Sequence, residues 1–144
     1  MFRWLFAWLA ASLVTYATGS VLMTQVVLGD VASFGIDVDL AARLRTTAAD
    51  LAGLAGSYLP LVAVALLVAF LVATALRRLR PIAWRPLCLV AGASSIGALL
   101  GIMSAVFGMN PLAGAAGAGG LSLQMLAGLA GGGVFSTLTR PQRR

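Results

Sequence analysis

The chain reads as an all-α, polytopic membrane protein, a four-transmembrane-helix bundle with one short amphipathic helix outside the membrane. Three observations predict this. Hydrophobic residues fill 60% of its 144 positions and charged residues only 10%, with a mean hydropathy of +0.99. That balance belongs to membrane-spanning chains and not to soluble domains. Four uncharged runs are each long enough to cross a hydrocarbon core of about 30 Å. Finally, positions 92–133 hold twelve of the seventeen glycines and no charged residue. In water so much glycine would read as linker. Interleaved with Leu, Ile, Val, Met and Phe, it suits two helices packed backbone to backbone in lipid.

The first span is expected over residues 5–28. It holds 24 uncharged residues, roughly 36 Å of helix. Arg3, the apolar run and Ala17-Thr18-Gly19 also resemble a signal peptide, but the run continues past that point, and an uncleaved first helix is the expectation. Residues 29–56 form the one sizeable polar segment, with four Asp against two Arg. Within it, residues 38–55 have helical periodicity. Leu40, Leu44, Ala48, Leu51 and Ala55 share a stripe, and Asp39, Arg43, Thr46 and Asp50 lie opposite. Asp37 is the expected N-cap, and Asp39 with Arg43 an i,i+4 pair.

The second span, 57–76, is almost wholly aliphatic and suits a lipid-facing scaffold, with Pro60 kinking or restarting its first turn. A basic turn carrying Arg77, Arg78, Arg80 and Arg85 leads to the third span, 86–107. A short loop through Asn110 and Pro111 leads to the fourth, 118–138, with 112–119 readable as loop, re-entrant turn or helix. Small residues at four-residue spacing give two packing stripes. Ala93, Gly97, Gly101 and Ala105 form one, and Gly120, Gln124, Gly128, Gly132 and Ser136 the other.

Eight of the ten arginines fall at the N-terminus, in the basic turn and in the tail. The arginine bias therefore predicts both termini cytoplasmic and the acidic segment outside, and a bacterial inner membrane is the expected setting. Trp4, Trp8 and Trp84 fall at the same boundary, as an aromatic belt would. With the arginines tied to the membrane surface, membrane lipid is the expected partner of Arg77, Arg78, Arg80 and Arg85, and nucleic acid is not.

The missing residue types narrow the chemistry. There is no His, Lys or Glu, and no ionisable side chain inside any span beyond tyrosine phenols, Tyr16 among them, and Cys88. A proton-coupled pump needs such groups in the membrane. Without His the commonest metal ligand and general base are missing, and serine lacks an activating base. No cofactor, metal site or catalytic residue is predicted. A lone Cys88 forms no internal disulfide. The thioethers of Met23, Met103, Met109 and Met125 suit Cu(I), but Met more often fills core gaps.

The polar residues that remain gather on the outer side: Thr24, Gln25, Ser104, Asn110 and Gln124. They read either as interhelical locks or as an outward-facing polar pocket. No motif singles out a family. A non-catalytic accessory or assembly subunit of a larger membrane complex is the expected function, with other membrane subunits or further copies of itself as partners. The alternative is a small homo-oligomeric channel or facilitator. An enzyme is disfavoured.

Overall fold

The computed structural model describes residues 2–35, 37, 39–79, 83–107 and 118–139. They form five helices: α1 (Phe2–Ser33), α2 (Leu40–Leu54), α3 (Tyr58–Leu79), α4 (Trp84–Phe107) and α5 (Ala118–Leu138). All but α2 are long and apolar enough to cross a membrane, so the chain is an all-α, multi-pass membrane bundle.

The ends of the helices follow from local chemistry. α1 runs past the expected residue 28 to Ser33 and carries Asp30 exposed in its last turns. At 32 residues it is about 48 Å long, well beyond the ~30 Å core, so a charged residue at its end meets no lipid. Gly35 then turns the chain at φ 81°, a conformation open to glycine without a Cβ clash. The N-cap of α2 is Asp39, not Asp37: its carboxylate accepts the Ala42 amide at 2.7 Å. Pro60 and Pro86 each stand third in their helices, where no intrahelical amide bond is lost. Pro60 therefore sits in an unbroken first turn.

The packing joins the two ends of the chain as well as neighbours in sequence. α5 lies between α1 and α4, the two most extensive contacts, and α3 closes the bundle against α4 and α1. α3 buries one i,i+4 stripe, Tyr58, Val62, Leu66 and Phe70, with Ala73 three residues on. α4 answers with Cys88, Ile96 and Leu100. At the arginine end Phe70 stacks on Phe135, ring centroids 3.9 Å apart, and Trp4 meets Phe135 edge-on at 5.7 Å. Trp8 leaves the expected belt and follows the α1–α3 seam, where its Nε1–H donates to the Ala63 carbonyl at 2.9 Å.

Glycine sets the α4–α5 spacing. A Cβ at Gly128 would lie 2.9 Å from both Gly92 C and Ile96 Cγ1, with the Gly92 carbonyl oxygen closer still. A Cβ at Gly132 would lie 2.9 Å from Cys88 C and 3.0 Å from Leu89 Cα. Backbone touches backbone at two successive turns, the approach that small residues permit in lipid.

Candidate functional site

At the end where α2 lies, two groups of polar side chains join the helices. The first centres on Gln124 of α5, 2% exposed. Its Oε1 accepts the Tyr58 hydroxyl of α3 at 3.1 Å. Its Nε2 donates to the Gly19 carbonyl of α1 at 3.0 Å and, more weakly, to the Met23 sulfur at 3.8 Å. One amide thus ties three helices, and the acceptor and both amide protons are engaged. Gly19 makes room for it, since a Cβ there would lie 2.7 Å from Gln124 Oε1. Tyr58 also leans on Tyr16, ring centroids 6.2 Å apart.

The second group joins α1 to α2. Arg43 donates to Gln25 Oε1 at 2.9 Å, and Gln25 Nε2 reaches the Thr47 hydroxyl at 3.5 Å. The Thr24 hydroxyl lies 2.9 Å from the Ser20 carbonyl and 2.7 Å from Asp50 Oδ2. Having one proton, it shares it between them. The Tyr16 hydroxyl donates to the Leu51 carbonyl. α2 therefore turns Arg43, Thr47 and Asp50 towards α1. Leu51 and Leu54 pack on the core, but Leu40 and Leu44, on the same apolar stripe as Leu51, stay 72% and 63% exposed. Arg43 is engaged by Gln25 and Asp39 by the Ala42 amide, in place of the i,i+4 pair expected between them.

The two glutamines expected to share one pocket thus sit in separate networks, Gln25 at the α1–α2 seam and Gln124 within the bundle. Thr24 belongs to the α1–α2 seam. Ser104 is half-buried near the end of α4, an element that packs on α3 and α5. Asn110 and Met109 lie outside the described residues, as do Arg80 and most of 112–119. Sequence reasoning did not place Tyr16, Tyr58, Arg43 or Asp50 in the site. The available signal was the tyrosine that opens an otherwise aliphatic span, because a buried phenol needs a partner.

Of the expected packing residues, Gly128 and Gly132 make the close contacts, and a Cβ at Gly97 would lie 3.5 Å from the Met125 sulfur. Gly101 faces open space, with nothing within 4 Å of a Cβ built there, and Ala105 is exposed. Ala93 and Gly120 are half-buried. On α4 the tight contact passes through Gly92, one residue before the expected stripe. Gly131 adds a close approach to α1, where the Thr15 hydroxyl occupies the space of a side chain and Ala11 O lies 2.9 Å from a Cβ.

At the opposite end Arg77 and Arg78 line a hollow. Arg77 lies over the Trp84 ring, its Cζ 4.8 Å from the centroid. Trp84 Nε1–H donates to the Thr139 hydroxyl at 3.1 Å, and Arg3 donates to the Leu138 carbonyl at 3.4 Å. Arg78 and Arg85 are exposed. Cys88 is buried on this half of α4, and no three His, Cys, Asp or Glu side chains converge anywhere among the described residues. No family matches the chain, and no curated protein or solved structure matches it either.

Proposed function

We propose that this chain is a non-catalytic integral membrane subunit that acts by holding other membrane helices, as an accessory or assembly subunit of a larger complex. Its setting is a bacterial inner membrane with both termini on the cytoplasmic side, the orientation favoured by the eight arginines grouped there. The observation that carries the reading is the direction in which the bundle is finished. Inward, every hydrogen-bonding atom of the Gln124 amide is engaged by α1 and α3, and glycine backbones close the α4–α5 seam. Outward, the α3–α4 seam is an open apolar trough of about 520 Å³, lined by Leu61, Ala65, Val68, Ser94, Ala98 and Ile102. Its two serine hydroxyls, Ser94 and Ser95, are returned to carbonyls of their own helix. Such a trough suits an apolar transmembrane helix of a partner, which needs shape and no polar match.

The second reading, a homo-oligomeric channel, draws on Thr24, Gln25, Arg43 and Asp50 at the α2 end. Gln124 bars a path through one bundle, so conduction would run between copies. Gentle extraction followed by intact-complex mass spectrometry separates the two. A stable species containing a second protein supports the subunit. A single species at an integral multiple of 14.7 kDa, conducting in liposomes, overturns it.

A further inference from the structure

We infer that the arginine end carries a binding site for the phosphate headgroup of an anionic phospholipid, held between α1, α3, α4 and α5. The hollow there is about 340 Å³ and is lined by Trp4, Thr74, Arg77, Arg78, Trp84 and Thr139. Its chemistry selects an anion. Two guanidinium groups line it, and a third, that of Arg3, reaches the Leu138 carbonyl at the end of α5. All four aspartates of the chain fall between positions 30 and 50, at the other end, so no carboxylate side chain competes for these cations.

The hollow is also built rather than casual. Arg77 is half-buried and held on the Trp84 face. Trp84 is in turn pinned by Thr139, whose hydroxyl passes its own proton to the Phe135 carbonyl. A guanidinium stacked in this way keeps its N–H groups free for phosphate, which it meets in a planar fork.

What selects a lipid over free phosphate is the adjoining space. A second hollow of about 350 Å³ shares Thr74 and Arg78 with the first and is completed by Leu71, Ala75 and Leu79. Leu71 and Ala75 lie further along α3 into the membrane than Arg78. A cationic, tryptophan-walled cup therefore opens onto an apolar slot on the same side of α3. That is the amphipathic order of a phosphodiester followed by its acyl chains.

The test places the full chain in nanodiscs of equal phosphatidylglycerol and phosphatidylcholine, then counts retained lipids by native mass spectrometry. Phosphatidylglycerol should be retained in preference. Arg78→Gln, at an exposed position, should lower that retention about five-fold, and Arg77→Gln/Arg78→Gln roughly twenty-fold. Arg45→Gln at the opposite end should leave it unchanged. An excess of inorganic phosphate should displace nothing. Thermal melting in detergent checks that each variant is folded, and Arg78→Gln alone decides the matter if the double variant is not. Equal retention of both lipids, equal loss in Arg45→Gln, or release by inorganic phosphate would overturn the inference.

Discussion

Replacing Gly128 with alanine puts the packing of this bundle to its most direct test. The added Cβ meets Gly92 C and Ile96 Cγ1 at 2.9 Å, against 3.4 Å for ordinary contact, and the Gly92 carbonyl oxygen is nearer still. The obstacles are mainly backbone, so no rotamer change relieves them. α4 and α5 must part by on the order of 1 Å, a gap that forfeits a quarter to a half of the dispersion energy of each contact across the seam. Overpacking of this kind costs about 1–3 kcal/mol, and the repeat of the contact one turn on, at Gly132, argues for the upper half of that range. Gly101→Ala is the control. It lies on the same helix pair, but a Cβ there meets nothing within 4 Å, so the change should fall within about 0.5 kcal/mol of neutral. Reversible unfolding in mixed micelles with a denaturing detergent reads both. If Gly128→Ala proves as stable as the parent while Gly101→Ala is crippled, the helices meet through the Ala93–Gly97–Gly101–Ala105 stripe and the contact described here is mistaken.

Two further perturbations address the polar networks. Gln124→Leu removes the bonds to Tyr58 and Gly19 and should destabilise the bundle by about 1–2 kcal/mol. A double-mutant cycle with Tyr58→Phe should show coupling near 0.6 kcal/mol, the usual size of such a bond in lipid. Additivity of the two changes would sink the assignment of Gln124 as a three-helix tie. Asp50→Ala removes the acceptor that ties Thr24 to α2 and should raise amide hydrogen exchange across residues 40–54 at least several-fold. Exchange in the four spans should not move. Spread of the effect into α3 would mean that α2 is part of the bundle's cooperative core.

The four spans were legible in the sequence because length and apolarity alone define them, and lipid imposes helix on any such run. Their ends were less so. α1 extends through Asp30 because a charge beyond the hydrocarbon carries no penalty, and a hydropathy run stops at that charge regardless of the helix. Four-residue spacing of small residues announced close packing on α4 and α5, but it does not choose between adjacent registers. Gly92 stands next to Ala93, and the helix turned its Cys88–Gly92–Ile96 face inward. Nor does one sequence pair the glutamine of α5 with the tyrosine of α3, 66 positions away.

The roll of α2 follows from the same physics. In a soluble domain its Leu40–Leu44–Leu51 stripe would face the core, since burying each leucine there is worth about 1.5–3 kcal/mol. Here the bundle surface it meets presents Thr24 and Gln25, polar groups near the apolar interior that need partners. A charge-assisted bond such as that from Arg43 to Gln25 is also worth about 1.5–3 kcal/mol, and a buried amide left without one loses a comparable amount. The leucine term depends on the alternative being water. An amphipathic helix at a membrane surface finds part of that relief in the headgroup region. The polar terms keep their full size and the leucine term shrinks, so the helix settles with Arg43, Thr47 and Asp50 inward. Amphipathicity marked α2 as a helix; the polar residues of α1 decided which way it faced.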